Sequence, residues 1–157
     1  MVNERKIGGM KKFFVNLFVA WLTVQTGAEE LDWMTSIPEA QKKAKEEKKV
    51  VLVDFSGSDW CGWCMKMQRE VFDTKEFQDY AKTNLVLVQI DFPMHKEQSE
   101  DLKNTNAALH AKYGVQSFPT FIIMDGDGRE LGQLGYFPGG PHPFITRLSK
   151  FKRKAVL

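Results

Sequence analysis

The two cysteines of this chain, Cys61 and Cys64, are separated only by Gly62 and Trp63. On the first turn of a helix this spacing brings both sulfur atoms to one face, where unpaired backbone N–H groups stabilise a thiolate. A disulfide across so short a loop constrains the unfolded chain very little, so its value is more chemical than structural. The pair therefore favours a redox-active dithiol. Half of a zinc site and two inert buried thiols are the alternatives, and the three histidines that could complete a zinc site are far apart in the sequence.

An alternation of helices and strands must position this pair. Residues 50–55 form a near-continuous apolar run, typical of a strand buried on both faces, and residues 85–91 form a second. Strands at 119–124 and about 130–136 form a predicted hairpin. Helices are predicted over about 36–48, 61–71, 73–82, 98–112 and 143–152. This order predicts an α/β fold with a central mixed sheet and helices on both of its faces.

Length and composition predict one folded domain. A chain of 157 residues with 43% hydrophobic residues can bury one good core and hardly two. The formal charge of +2 comes from the first 28 residues, which carry +3, so the remainder is about neutral. No Lys/Arg cluster is interleaved with aromatic residues, so nucleic acid is not an expected partner. We expect a single domain over residues 29–157, with a monomer as the default.

Residues 1–28 have the pattern of a secretory signal peptide. The basic residues Lys11 and Lys12 precede an apolar run of 12 residues, 13–24, and small residues follow at positions 26 and 28. This arrangement predicts export, with cleavage after about Ala28. An uncleaved membrane anchor is the alternative, although the run is short against the roughly 20 residues that span a bilayer. Either way the domain is expected outside the cytoplasm, periplasmic or secreted, where disulfides persist.

Three motifs, in this order, carry a resemblance to the thioredoxin superfamily. They are the end of a buried strand at residues 53–55, the segment 60–64 that opens a helix, and residues 112–120 with Phe118, Pro119 and Thr120 before a hairpin. The likeness covers about residues 31–152. Within the superfamily, Trp33 and residues 56–64 resemble small exported thioredoxin-like proteins, including periplasmic DsbH-type oxidoreductases. The resemblance implies a thioredoxin fold and thiol:disulfide exchange with protein substrates.

The resemblance assigns chemical roles to three residues. Cys61 is the exposed nucleophile that forms a mixed disulfide, and Cys64 is the more buried thiol that resolves it. Asp54 matches a buried carboxylate beneath the pair, whose raised pKa suits it to take the Cys64 proton. An Asp54 side chain turned to water is the alternative. The sequence departs from thioredoxin in one extra residue between Asp54 and Cys61, and in the lysine that partners the carboxylate, whose nearest position holds Leu87.

The resemblance also predicts a substrate edge beside the cysteines. Pro119 matches the cis-proline loop of the family, in which backbone groups next to the proline stay free to pair with an extended peptide. An ordinary trans proline at the start of a strand is the alternative. Trp60, Trp63 and Phe118 are expected to form an apolar rim for flexible substrates, with Trp60 part surface and part packing. The long connection at 91–103 is expected to be a solvated loop.

Trp63 stands where the usual thioredoxin motif has proline, and the residues between the cysteines help to set the reduction potential. Asp59 places negative charge near the helix start, which disfavours the thiolate, and no histidine lies between the cysteines, so we expect a reductase. An oxidase or isomerase of the same fold and a binding or chaperone-like module with an incidental dithiol are the alternatives. No metal or cofactor is expected. The expected partners are protein thiols and disulfides and an unidentified redox partner, for which a membrane electron donor is one candidate.

Overall fold

The structure is a computed structural model that describes residues 31–155. Its strands are β1 (Trp33–Met34), β2 (Val50–Ser56), β3 (Leu85–Asp91), β4 (Thr120–Met124) and β5 (Glu130–Gly135). Its helices are α1 (Ile37–Glu47), α2 (Gly62–Met67), α3 (Lys75–Asn84), α4 (Glu100–Lys112) and α5 (Pro141–Ala155), with a π-helical segment over Gln68–Phe72. The predicted signal peptide, residues 1–28, lies outside the described residues.

The strands form one mixed sheet in the order β1–β3–β2–β4–β5. β2 runs parallel to β3 and antiparallel to β4. It occupies the centre because its residues are apolar on both faces, and all seven of them are buried. The predicted central mixed sheet is therefore confirmed.

Successive residues of β2 point to opposite faces of the sheet and so contribute to two cores. One core contains Leu52 together with Phe144 of α5. The other contains Phe55 together with Ile37 of α1, and Leu109 of α4 packs against it. Helices thus cover both faces of the sheet, as the sequence predicts.

Several elements differ from the sequence expectation: α3 lies two residues later at both ends, α4 begins two residues later, and three further differences have physical reasons. β1 was not predicted, because it has two residues and pairs only with Leu87 and Val88, which is too short for an alternating pattern to show. The helix predicted over 61–71 is α2 followed by the π-helical segment. The last helix begins two residues earlier than expected, at Pro141, since proline is well tolerated in the first turn of a helix.

One edge of the sheet collects the loops that carry the candidate residues. The carboxyl ends of β2 and β3 lie side by side there, with Ser56 paired to Asp91. β4 is antiparallel to β2, so its first residue, Thr120, lies at the same edge. The loop with the two cysteines follows β2, and Pro119 immediately precedes β4. The topology therefore brings together two motifs that are more than fifty residues apart in the chain.

Candidate active site

Cys61 and Cys64 form a disulfide bond, with their Cα atoms 5.3 Å apart. Cys61 is the N-cap of α2, and its Sγ accepts a hydrogen bond from the backbone N–H of Cys64 at 3.2 Å. In the reduced protein a donor in this position favours the thiolate over the thiol. The two sulfur atoms are therefore placed to exchange between dithiol and disulfide.

The two cysteines differ in their surroundings rather than in their exposure. Cys61 is 7% exposed and Cys64 is 6% exposed, so the expected contrast between an exposed and a buried cysteine is not seen in this disulfide form. Cys61 lines an open groove with Trp60 and Phe118. Cys64 lines a separate pocket that also contains Asp54. The disulfide thus lies between an aromatic surface and a polar interior.

The groove beside Cys61 has a volume of about 410 Å³ and an aromatic wall. Trp60 is 38% exposed, and its ring meets that of Phe118 edge to face, with centroids 5.9 Å apart. Its indole Nε1 donates a hydrogen bond to the carbonyl oxygen of Phe92 at 2.7 Å. Trp60 is therefore part surface and part packing, as predicted. The remaining lining residues are Gly62, Trp63, His110, Gln116 and Ser117.

A glycine in the cysteine loop makes room for Trp60. A Cβ atom on Gly57 would lie 2.5 Å from the Trp60 ring, closer than real Cβ atoms approach. The carbonyl oxygen of Gly57 also accepts a hydrogen bond from the backbone N–H of Cys61 at 2.9 Å. Gly57 therefore fixes the positions of Trp60 and Cys61 in one turn.

Trp63 extends the aromatic surface on another side of the pair. It is 55% exposed and packs on Tyr136, with ring centroids 4.8 Å apart. Lys66 Nζ lies 5.4 Å from the Trp63 ring and 5.5 Å from the Tyr136 ring, a cation–π arrangement. The Tyr136 hydroxyl donates a hydrogen bond to Glu70 at 3.3 Å. Trp63 is thus exposed but held by its neighbours.

The Phe118–Pro119 peptide bond is cis, as predicted. Phe118 lines the groove and stacks on Phe92, with ring centroids 5.3 Å apart. Thr120, the first residue of β4, pairs with Gly135 of β5. The cis bond therefore lies between the sheet and the groove beside Cys61.

Asp54 is buried within β2 at 3% exposure, so the alternative of a side chain turned to water is wrong. It shares a pocket of about 490 Å³ with Cys64. Burial, reinforced by the charge of Asp91, raises the pKa of Asp54 to about 8, and the side-chain amide of Gln89 acts in the opposite direction. One carboxyl oxygen, Oδ1, has no hydrogen-bond partner within residues 31–155. A carboxyl with such a pKa can exchange a proton with a thiol near neutral pH.

The strand register gives Asp54 a polar neighbour. Gln89 is paired with Asp54 across β2 and β3. Leu87, which holds the place nearest to the lysine of the family, is paired with Leu52 and is buried in a hydrophobic core.

Asp59 anchors the loop that follows β3. Its carboxylate accepts hydrogen bonds from the backbone N–H groups of Met94, His95 and Lys96, at 2.9, 2.8 and 3.1 Å. Desolvation pushes the pKa of Asp59 upward, but these three donors and the charge of His95 outweigh it, and the pKa lies below its ordinary value. The loop predicted to be simply solvated is therefore attached to the cysteine loop.

The family of this chain is shown by comparison with known proteins. A family model described as a thioredoxin-like domain matches residues 37–148. The chain belongs to the thioredoxin-like family. This thioredoxin-like protein is 36% identical over 121 residues to the disulfide bond reductase DsbH of Chlamydia pneumoniae, an alignment that covers 77% of this chain and 72% of DsbH.

Two further comparisons agree with this assignment. The thioredoxin-like chain is 34% identical to the thioredoxin-related protein DsbJ of Chlamydia pneumoniae, over 70% of this chain but only 32% of DsbJ. A solved structure of a DsbH oxidoreductase superposes with a TM-score of 0.74 and 33% identity, covering 80% of this chain and 87% of that one. Together with the Cys61–Cys64 pair, these similarities make this thioredoxin-like protein a DsbH-like thiol:disulfide oxidoreductase.

Several residues around the thioredoxin-like site were not indicated by the sequence. Tyr136 and Phe92 each follow a strand in the chain, and only the packed fold brings them to Trp63 and Trp60. His110 packs against Phe118 with ring centroids 5.8 Å apart. None of these residues belongs to a local sequence motif, so the sequence does not indicate that they lie at the site.

Two features are absent from the described part of this thioredoxin-like chain, residues 31–155. No group of three or more His, Cys, Asp and Glu side chains is arranged to hold a metal ion. None of the helices there combines the length and the apolar character needed to cross a membrane.

Proposed function

We propose that this protein reduces disulfides in exported proteins through the Cys61–Cys64 dithiol. The observation that carries the proposal is the difference in surroundings: Cys61 lines the aromatic groove, whereas Cys64 lines the pocket that holds Asp54. A substrate disulfide needs an open approach to the attacking sulfur, and the resolving thiol needs a proton acceptor. This division supports Cys61 as the nucleophile and Cys64 as the resolving thiol.

The reaction has two exchange steps. The Cys61 thiolate attacks one sulfur of the substrate disulfide, and the second substrate sulfur leaves as a thiolate that takes a proton from water. Cys64, once deprotonated, attacks the Cys61 sulfur, and the first substrate sulfur leaves as a thiolate. Two electrons pass from the dithiol to the substrate, and the Cys61–Cys64 disulfide remains.

Asp54 is the proposed proton acceptor for Cys64. Its pKa of about 8 lies near the ordinary thiol pKa of about 8.5, so a proton passes between the two groups at little cost. The two residues share a pocket that is open to solvent, which gives the proton a route out. Direct or water-mediated transfer uses the same pocket.

The groove is the proposed binding site for an extended segment of the substrate. Trp60 and Phe118 supply its apolar wall, and the backbone before the cis bond at Pro119 borders the groove, where it is proposed to pair with the segment. Trp63 supplies a further exposed aromatic face next to the pair. Apolar, flexible segments around a disulfide are the substrates that such a surface fits.

Reductase direction and export rest on two separate observations. The relative DsbH is named a disulfide bond reductase, and 72% of its length is covered by the alignment. The pattern of residues 1–28 is typical of a signal peptide, which supports a location of the domain in the periplasm or outside the cell. Outside the cytoplasm the dithiol must be regenerated by a separate electron donor, for which a membrane protein is our candidate.

A redox titration tests this function. The protein is equilibrated in glutathione buffers while tryptophan fluorescence is recorded, because Trp60 and Trp63 flank the disulfide. We expect one reversible two-electron transition with a midpoint near about −270 mV, the value of a reductant, and far from about −120 mV, the value of a strong oxidant. The Cys61→Ser variant is the control and shows no transition. A wild-type protein without a reversible transition would contradict the enzymatic function, and a midpoint near the oxidant value would contradict its direction.

A further inference from the structure

The carboxyl group of Asp54 is buried with an unpaired oxygen, and several charged groups surround its pocket. Among the described residues its Oδ1 has no hydrogen-bond partner. Three charged or titratable groups line the pocket with Asp54: Cys64 on α2, Arg69 on the π-helical segment and Lys96 on the loop after β3. A fourth, Asp91, lies on β3 two residues beyond Gln89, the residue paired with Asp54, and so on the same face of the sheet. The protonation of Asp54 must therefore depend on how these groups are held.

Asp91 is the anion in this set, and Ser58 fixes it in place. The backbone N–H of Ser58 donates to Asp91 Oδ1 at 2.9 Å, and the Ser58 hydroxyl donates to Oδ2 at 2.6 Å. The backbone carbonyl of Asp91 accepts hydrogen bonds from the side chains of Gln98 and Asn106, at 3.2 and 2.9 Å. Hydrogen bonds thus hold both carboxylate oxygens and the backbone carbonyl of Asp91. The negative charge of Asp91 therefore stays at a fixed distance from Asp54.

Lys96 is linked to this anion through one hydroxyl group. Its Nζ donates to the Ser58 hydroxyl oxygen at 3.3 Å, and that hydroxyl donates to Asp91. Its backbone N–H donates to Asp59 at 3.1 Å, which fixes the segment that carries it. Lys96 also lines the pocket of Asp54, so a positive charge of opposite sign to Asp91 lies beside that pocket.

We propose that Asp91 and Lys96, linked through Ser58, are positioning residues of opposite effect that set how tightly the buried Asp54 carboxyl holds its proton. Asp91 makes release of that proton harder, because two negative charges then lie close together. Lys96 makes release easier by offsetting the charge of Asp91. The pair thereby sets the pH at which Asp54 is ready to accept the proton of Cys64. This inference rests on the proposed function of Asp54 as proton acceptor.

The test is a pH titration of the Asp54 carboxyl carbon by NMR. The protein carries ¹³C-labelled aspartate and is kept in its disulfide form, so that Cys64 does not titrate, and Asp54→Asn identifies the signal. We expect Asp91→Asn to move the midpoint to lower pH by roughly one unit, and Lys96→Met to move it to higher pH by a smaller amount. The matched control is Lys103→Met, since Lys103 is an exposed lysine on α4 that pairs only locally with Glu100.

Opposite shifts in the two variants, with no shift in the control, support the proposal, because a general loosening of the structure would move both midpoints in one direction. Unchanged midpoints, shifts of the same sign, or a wild-type Asp54 that titrates at the ordinary aspartate pH would overturn it. Lys96→Met alters an exposed side chain, so it keeps the test decisive even where Asp91→Asn folds poorly. Insulin reduction is measured on the same samples. Opposite shifts without insulin reduction reject the proposed function alone, and insulin reduction without opposite shifts rejects this inference alone.

Discussion

The Cys61 side and the Cys64 side of the disulfide are equally buried but chemically different. On the Cys61 side, Trp60 and Phe118 form an apolar wall around an open groove. On the Cys64 side, Asp54 and Gln89 line a pocket with charged residues at its margin. The groove is lined by two loops with α2 and α4, whereas the pocket is lined by β1, β2 and β3 on one side and by α2, the π-helical segment and loops on the other. Under the proposed function, this contrast lets a single pair of residues meet a variable substrate on one side and a proton acceptor on the other.

The largest effect should come from exchanging one cysteine at a time. We expect Cys61→Ser to lose essentially all disulfide reduction, because no thiol then faces the groove. Cys64→Ser should instead accumulate mixed disulfides with substrates through Cys61, because the resolving attack is lost. Non-reducing gels of each variant after incubation with an exported-protein extract measure the difference. Equal trapping by both variants would remove the distinction between the two sides.

Removing the buried carboxyl should change how stability depends on pH. The pKa of Asp54 rises from 3.8 in the unfolded chain to about 8 in the fold, so the folded state keeps a proton that the unfolded state loses, and stability falls as pH rises through this window. Asp54→Asn abolishes that fall. The stability of the variant relative to wild type should therefore be greater at about pH 8 than at about pH 4.5, by on the order of a few kcal/mol in the free energy of unfolding. Urea unfolding at the two pH values measures it, and a pH-independent difference would contradict the assigned burial.

On the groove side, Gly57→Ala should destabilise the fold by about 1–3 kcal/mol, because the added Cβ collides with the Trp60 ring. Gly62→Ala is the matched control, since its Cβ would meet no atom within 4 Å. Thermal unfolding of the two oxidised variants compares them. Equal stabilities would mean that Trp60 moves aside freely and that the wall of the groove is not fixed.

The smallest effect should come from the aromatic rim. Trp60→Ala should raise the KM for a disulfide-containing peptide about fivefold, which corresponds to about 1 kcal/mol of lost contact with the substrate, with little change in kcat. Met94→Ala is the control, because Met94 is exposed on the neighbouring loop and does not line the groove. Steady-state reduction of the peptide provides both constants. A matching rise in KM for Met94→Ala would place the binding surface elsewhere.

Much of the fold could be predicted because the local signals are strong. The apolar run at residues 50–55 predicts a buried strand, and the structure has β2 there. The position of β2 at the centre of the sheet follows from its burial on both faces. The same run explains why Asp54 is buried. The cis bond before Pro119 was predicted from the resemblance to the thioredoxin superfamily, since nothing in a local pattern distinguishes it from an ordinary trans bond.

The parts that escaped prediction depend on packing between distant segments. The pairing of Gln89 with Asp54 is a matter of strand register, which the sequence did not determine. The attachment of the 94–96 backbone to Asp59 joins two loops more than thirty residues apart. The near-equal burial of Cys61 and Cys64 follows from the disulfide itself, which holds both sulfur atoms in one turn.

The most direct measurement separates the two exchange steps in Asp54→Asn. Stopped-flow fluorescence at about neutral pH follows formation of the mixed disulfide by Cys61 and its resolution by Cys64, with Cys64→Ser marking the first step alone. We predict that Asp54→Asn slows resolution by about 100-fold, the low end of what a general base contributes, and leaves mixed-disulfide formation unchanged. Equal slowing of both steps, or of neither, would contradict the division of chemistry between the Cys61 groove and the Cys64 pocket.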